Sequence, residues 1–208
     1  MTAGELVQVT NWQDVLPPDI YFTHAYHNLS AHSEPDASGN VLLQWDSPDG
    51  RAYLPLILRR IGETDYFDAT SAYGYGGPWI VGNPDFTHFK EGLDEWAASS
   101  GVVSSFLRFH PLLENAQPLE EHIPVTLVGN TAVWDLTQTS DLSEQMHKSH
   151  RKGWRRALRD GVVAEITEEP GAAVWRFKEV YETSMARLAA TSFYWFPEPY
   201  WQDLSSEL

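Results

Sequence analysis

The chain has 208 residues, of which 42% are hydrophobic and 13% aromatic, so it is long and apolar enough to fold around a sizeable core rather than stay disordered. It contains no cysteine, which excludes a disulfide framework, a thiolate zinc site and a cysteine nucleophile. No apolar run approaches the roughly 18 residues that span a membrane, and the start of the chain lacks a signal-peptide pattern. We therefore expect no membrane insertion and a cytoplasmic location.

The net charge of −15 is unevenly distributed along the chain. Residues 148–160 hold six of the 14 basic residues and one acid, which leaves 8 basic and 28 acidic residues elsewhere, a net charge of −20. The acidic remainder argues against general nucleic-acid binding. A basic island on such a chain indicates a local anion site more than a track for a polyanion.

The first part of the chain alternates helix and strand patterns, separated by turns rich in glycine, proline and aspartate. In chain order, the predicted elements are a helix at Tyr21–His32, strands at Val41–Trp45 and Ala52–Arg60, a helix at Phe86–Ser99, a buried strand at Val102–Phe109, and strands at Val125–Val128 and Thr131–Leu136. The first two strands are predicted to form a hairpin, and so are the last two, around Gly129-Asn130. The helix at Phe86–Ser99 is predicted to have one apolar face, formed by Phe86, Phe89, Leu93, Trp96 and Ala97.

The remainder of the chain is predicted to be mainly helical. A capping box at Asp141 begins a long helix that runs to about Arg159, and Gly161 is a favourable residue for ending it. A strand is predicted at Val162–Ile166, followed by a second helix over 168–190.

The stretch from Asp68 to Trp79 contains three glycines, two tyrosines, a proline and a tryptophan, more than a plain turn needs. Glycines allow close approach of the backbone, and aromatic rings offer flat apolar surfaces with polar tips. We interpret this stretch as a recognition loop, with Tyr73, Gly76 and Gly77 as candidate substrate-binding residues. The alternative, that the aromatic rings only cover the core, remains open. No helix clearly follows the glycines, so neither a Rossmann loop nor a P-loop is predicted.

Two charged residues near this loop are further candidates. Arg108 lies inside an apolar strand, and a buried arginine needs an anionic partner, which is either a structural salt bridge or a substrate. Asp68 precedes the glycines, where it is either a turn cap or a general base or amine anchor.

The basic island contains the last two candidates. Arg151 and Arg155 lie one helical turn apart and are able to hold a diphosphate or a carboxylate bidentately. The alternative is a solvated helix face. The histidines of the chain lack the companions of a zinc motif, so no metal site is expected.

Three segments, in their order and spacing, resemble the FemAB-like branch of the GNAT-fold acyltransferases: Tyr66–Pro78, Phe106–Leu112 and Lys148–Val162. The resemblance runs from about residue 20 to the end of the chain. It implies an α/β fold with a GNAT-like mixed sheet flanked by helices. It also implies a first GNAT-like domain at 1–136 and the start of a second at 137–208, with a cleft between two such domains.

The resemblance also implies a function. Members of that family transfer an acyl or aminoacyl group to an amine, in the best-known cases during peptidoglycan cross-bridge synthesis, and relatives are similar to acetyltransferases. The chain is therefore expected to be an N-acyltransferase with Asp68 as its catalytic residue and no tightly bound cofactor. Acyl-coenzyme A or aminoacyl-tRNA would be the co-substrate. An amine-bearing small molecule or a muramyl-peptide precursor would be the acceptor.

This chain departs from the family in one respect. Family members are much longer, and the later strands of the second domain and the usual pyrophosphate loop are missing here. The chain is expected to be either a fragment or a short protein that self-associates or needs a partner chain to complete the second domain. The alternative function is a non-catalytic peptide- or glycan-binding module, or a subunit of a larger acyltransferase.

Overall fold

Six strands and five α-helices form in the computed structural model, which describes residues 4–137, 142–167 and 170–207. The strands are β1 Glu5–Gln8, β2 Ala37–Ser47, β3 Gly50–Arg60, β4 Phe67–Thr70, β5 Trp79–Gly82 and β6 Val102–Phe106. The helices are α1 His24–Ala31, α2 Phe89–Ser100, α3 Lys148–Arg159, α4 Pro170–Arg187 and α5 Glu198–Ser206. The predicted α/β class is confirmed. No helix in these ranges is both long and apolar enough to cross a membrane.

Two compact units divide the chain. The first combines Met1–Thr126 with Pro170–Leu208 and holds the whole sheet, and the second is Leu127–Glu169 and holds α3. The division into GNAT-like domains at 1–136 and 137–208 stays a prediction.

The sheet has the strand order β1-β2-β3-β4-β6, and β5 pairs with β3 beside β4. All pairs are antiparallel except β4 with β6, which is parallel and is connected through α2. The predicted mixed sheet is therefore confirmed.

The β2–β3 hairpin forms the centre of the sheet. Ser47 pairs with Gly50, so the turn between the strands consists of two residues. Both predicted strands are present and both are longer than predicted. β2 begins at Ala37, four residues before the predicted start, because pairing with the end of β3 extends it through a polar sequence that has no strand pattern of its own.

Apolar side chains cover both faces of the sheet. Alternate residues of β2 and β3 point to opposite faces, and one face packs against α2 through the side chains predicted for that helix, Phe86, Phe89, Leu93, Trp96 and Ala97. The opposite face packs Leu42 and Tyr53 with Trp79 and residues from the start of the chain.

Three strand predictions are wrong. β6 ends at Phe106 rather than Phe109, and it is an edge strand on which Val103 and Phe106 are exposed rather than buried. Among the described residues, neither the hairpin predicted over 125–136 nor the strand predicted at Val162–Ile166 forms. Their apolar residues are largely exposed and have no partner strand, and isolated hairpins are marginal in water.

The long helix predicted from Asp141 begins later. A 3₁₀ turn at Leu142–Gln145 precedes α3, and the N-cap of α3 is His147, whose Nδ1 accepts from the N–H of Ser149 at 3.4 Å. Asp141 lies outside the described residues. Gly161 has φ +77° directly after the helix, as expected for a residue that ends it.

Candidate functional site

A gap in the sheet marks the point where the predicted recognition loop leaves it. β4 pairs with residues 57–60 of β3, and β5 pairs with residues 50–53 along the same edge. β4 and β5 therefore lie end to end along β3, and residues 71–78, which we call the glycine loop, connect them. Pro55 of β3 lies between the two paired stretches, where its missing N–H suits an edge without a neighbouring strand.

Hydrogen bonds hold both ends of the glycine loop against the chain that follows β6. At its start, Oγ of Ser71 accepts from the main-chain N–H of Arg108 at 3.1 Å. At its end, Nδ2 of Asn115 donates to the carbonyls of Gly76 and Pro78, both at 2.8 Å. The ends of the loop are thus set by contacts made far away in the sequence.

Asn115 uses every part of its side-chain amide and is only 2% exposed. Its Oδ1 accepts from the N–H of His110 at 2.9 Å, while its Nδ2 serves the two carbonyls of the loop. No pattern in the sequence pointed to Asn115, because it lies in an irregular segment without a motif. Its partners are identified only by the folded chain.

Gly76 and Gly77 are buried at the base of the loop. A Cβ at Gly76 would lie 2.6 Å from Oγ of Ser71, and Gly77 combines φ +75° with a Cβ position 2.7 Å from the ring of Phe109. Close packing therefore explains why glycine stands at both positions. Their predicted part in substrate binding stays a prediction.

The tip of the loop, Tyr73-Gly74-Tyr75, is more open. Tyr73 is 39% exposed, and Gly74 is half-buried with φ +96°. Within the described ranges, the main-chain groups of Ala72 and Gly74 have no hydrogen-bond partner. Unpaired main-chain groups are rare inside folded proteins. Since Gly74 is half-buried rather than enclosed, its main-chain groups lie at a partly open surface.

Arg108 lies beside the loop with its guanidinium half-buried. Its Nη1 donates to the carbonyl of Ser71 at 3.0 Å and contacts Oγ1 of Thr70 at 3.4 Å, and the group lies 5.0 Å from the centre of the Phe106 ring. In residues 4–137, 142–167 and 170–207 it forms no ion pair with a carboxylate. The structural salt bridge considered for Arg108 is not found there, and its remaining N–H groups are available to an anion.

Asp68 lies inside β4 rather than at a turn, and it is engaged by Arg59. The carboxylate accepts from Nε and Nη2 of Arg59 at 2.7 and 3.0 Å, and Nη1 of Arg59 donates to Glu34 at 2.8 Å. The hydrogen bond to Asp68 is the main cause that raises the pKa of Arg59 above its ordinary value. Asp68 and Thr70 are two residues apart on one strand, so Asp68 shares the sheet face from which Thr70 contacts Arg108.

Replacing Asp68 with asparagine is expected to lower the free energy of unfolding by about 1 to 2 kcal/mol, because Arg59 loses a bidentate charged partner but keeps Glu34. Urea unfolding measures the loss. Asp65→Asn is the matched control, since its carboxylate is fully exposed and lies 3.8 Å from Arg60. Equal losses in the two variants would show that the Arg59 pair contributes nothing specific.

An aromatic surface adjoins the loop tip within the same unit. The ring of Tyr73 lies 5.9 Å from that of Phe193 and 6.3 Å from that of Phe196. Phe193 and Tyr194 are 48% and 41% exposed, whereas Trp201 of α5 is buried. The aromatic stretch near the end of the chain therefore serves partly as core and partly as open surface beside Tyr73.

The predicted residues Arg151 and Arg155 belong to the second unit. Nη2 of Arg151 donates to the carbonyls of Glu144 and Met146 at 3.2 and 3.0 Å, so this guanidinium caps the turn that precedes α3. Arg155 is exposed and makes no hydrogen bond or ion pair with any described residue. The two side chains thus differ: Arg151 holds main-chain carbonyls, whereas Arg155 has no partner among the described residues.

The structure therefore places Arg108 against the start of the glycine loop, which contains Tyr73, Gly76 and Gly77. Asp68 lies two residues before Thr70 on β4, with its carboxylate held by Arg59. In the part of the chain that is described, no group of three histidine, aspartate or glutamate side chains is placed to hold a metal ion.

Comparison of the chain with protein-family models, with curated proteins and with solved structures finds no match. The family resemblance consequently rests on the quoted segments alone.

Proposed function

We propose that the protein is an N-acyltransferase that moves an acetyl, acyl or aminoacyl group to an amine, in the manner of the FemAB-like GNAT-fold enzymes. The observation that carries the proposal is the meeting of Arg108 with the glycine loop at the end of the parallel pair β4–β6. There, a guanidinium without a described carboxylate partner lies beside a main-chain segment whose Gly74 has no described hydrogen-bond partner.

This arrangement suits direct transfer. The neutral amine attacks the acyl carbonyl carbon, a C–N bond forms, and the bond from that carbon to the sulfur or oxygen of the donor breaks. The N–H of Gly74 donates to the oxyanion that develops on the carbonyl. Arg108 binds a carboxylate or phosphate of the acceptor, which positions its amine.

Asp68 is proposed to receive the proton that the amine loses. Each of its oxygens already accepts one hydrogen bond from Arg59, and each keeps a further lone pair for another donor. Arg59 therefore fixes the direction of the carboxylate without using up its capacity to accept a proton.

The donor is proposed to be acyl-coenzyme A or aminoacyl-tRNA, and Arg151 and Arg155 are proposed to bind phosphates of the donor or acceptor. Of these two, Arg155 is the stronger candidate, because Arg151 also holds main-chain carbonyls. A muramyl-peptide precursor is one acceptor that carries both an amine and anionic groups.

A second candidate function is favoured by the exposed aromatic surface. Tyr73, Phe193 and Tyr194 together offer stacking surfaces beside a loop with unpaired main-chain groups. Such a surface suits a module that binds a peptide or a glycan without chemistry.

The first test measures the melting temperature of the protein at increasing concentrations of acetyl-coenzyme A. A ligand that binds only the folded state raises the melting temperature in a saturable way. A rise would favour acyl-coenzyme A as the donor. Transfer to small amines is then measured through the free thiol that the reaction releases. No transfer from acetyl-coenzyme A or from aminoacyl-tRNA would contradict the proposal. Stabilisation by peptides or glycans alone would favour the binding module.

Replacing Arg108 with glutamine is expected to raise KM for a carboxylate-bearing amine by about 10- to 100-fold, because a charge-assisted hydrogen bond contributes about 1.5 to 3 kcal/mol. The measurement compares alanine with alaninamide, which lacks the carboxylate and should lose little. Arg60→Gln is the matched control, since Arg60 is an exposed arginine of β3 whose described contacts are the carbonyl of Thr64, the carboxylate of Asp65 and the ring of Phe67. The same change in KM for both acceptors would show that Arg108 does not recognise the carboxylate of the acceptor.

A further inference from the structure

Two tyrosines from the start of the chain hold the tip of the glycine loop. The hydroxyl of Tyr26 donates to the carbonyl of Tyr73 at 2.8 Å. The ring of Tyr21 lies 5.4 Å from that of Tyr75, and a Cβ on Gly74 would come within 2.6 Å of it. The two tyrosine rings also contact each other edge to face at 5.2 Å. The tip therefore rests on side chains from the segment between β1 and β2.

Tyr26 is itself fixed in place. It lies in the first turn of α1, where its N–H donates to Oγ1 of Thr23, the N-cap of the helix, at 3.1 Å. One turn further on, Leu29 and Ser30 anchor α1 because both are buried. Burial also raises the pKa of Tyr26 above its ordinary value, so its hydroxyl stays protonated and is a constant donor.

The rings of Tyr73 and Tyr75 pack against other aromatic rings, but the main chain of the loop tip has few hydrogen bonds to replace this one. Ala72 and Gly74 have no main-chain hydrogen bond within the described ranges, and glycine at φ +96° is free to adopt other conformations once released. Asn115 and Ser71 hold the ends of the loop but not its tip. The Tyr26–Tyr73 bond is the hydrogen bond by which the described structure holds the tip.

We propose that Tyr26 is a positioning residue, which holds the main chain of Tyr73–Tyr75 through the carbonyl of Tyr73 so that the tip is preorganised for its ligand. The contacts described above support the part of the proposal in which Tyr26 holds the loop. Its effect on turnover rests on the proposed acyltransferase function. Tyr26 itself does not touch the reacting atoms.

The test replaces Tyr26 with phenylalanine, which removes the hydroxyl and keeps the ring. Backbone order parameters from ¹⁵N relaxation should fall from about 0.85 in the wild type to below about 0.6 in the variant for residues 72–75. Tyr66→Phe is the matched control, because the Tyr66 side chain is exposed and makes no described hydrogen bond; its loop should keep the wild-type values. Urea unfolding confirms that both variants are folded. Unchanged order parameters in Tyr26→Phe would overturn the proposal, whether or not the protein is an enzyme.

Kinetics separate the two parts of the proposal. In an active wild type, Tyr26→Phe should lower kcat about tenfold with little change in KM for the amine, since preorganisation acts on the transition state. A mobile loop with unchanged kcat would overturn the positioning role. The remaining outcome is that the loop becomes mobile in Tyr26→Phe but the wild type transfers no acyl group. This result would confirm that Tyr26 holds the loop and would contradict only the acyltransferase function.

Discussion

Replacing Asn115 with alanine is expected to lower the free energy of unfolding by about 3 kcal/mol. The substitution leaves the N–H of His110 and the carbonyls of Gly76 and Pro78 without their partner, and each lost bond to a buried group costs about 1 kcal/mol or more. The residue is almost fully buried, so water does not readily replace the amide. Urea unfolding measures the loss.

Two further variants make the Asn115 experiment specific. Asn115→Asp keeps an acceptor for His110 but places a carboxylate oxygen against two carbonyls, so its loss should equal or exceed that of alanine. Asn83→Ala is the control, because the Asn83 side chain is exposed and makes no described hydrogen bond, and it should change stability by less than about 0.5 kcal/mol. A loss of that small size in Asn115→Ala would show that the loop does not depend on this amide.

The stability of the protein is expected to fall between pH 6 and pH 4 in part because of His27. This side chain is fully buried, its Nε2 lies 3.2 Å from the carbonyl of Tyr21, and its Nδ1 has no described partner. Burial lowers the pKa of His27 from 6.5 to about 3. Below pH 6.5 the unfolded chain therefore binds a proton that the folded chain does not, and stability is lost as the pH falls.

The expected loss from His27 is about 1.4 kcal/mol per pH unit over most of this range, or about 2 to 3 kcal/mol from pH 6 to pH 4. His27→Gln keeps a neutral donor for the Tyr21 carbonyl and removes the titration, so its stability should depend less steeply on pH. His88→Gln, at an exposed position, is the control and should keep the wild-type slope. Urea unfolding at several pH values measures the slope of the free energy of unfolding against pH. Equal slopes in wild type and His27→Gln would show that protonation of His27 does not destabilise the folded protein.

The same region supports both the stability and the proposed site. His27 and Tyr26 are neighbours on α1; one faces the interior and the other holds the loop tip. Protonation of His27 in acid would therefore weaken the support of the helix that carries Tyr26.

The sequence by itself determined the elements whose pattern is local. The β2–β3 hairpin, the apolar face of α2 and the end of α3 at Gly161 each depend on residues a few positions apart, and each was predicted. The glycine loop was located for the same reason, because its composition is unusual within twelve residues.

Only the tertiary structure decided where those elements meet. Alternating apolar residues over 125–136 and 162–166 form no strand in the described chain, because a strand pattern forms a sheet only where a partner edge exists. The partners of Asp68 and Arg108 and the roles of Tyr26 and Asn115 likewise depend on contacts between residues 9 to 47 positions apart. Such contacts follow from the packing of the sheet with α1 and the segment after β6, and no local pattern records them.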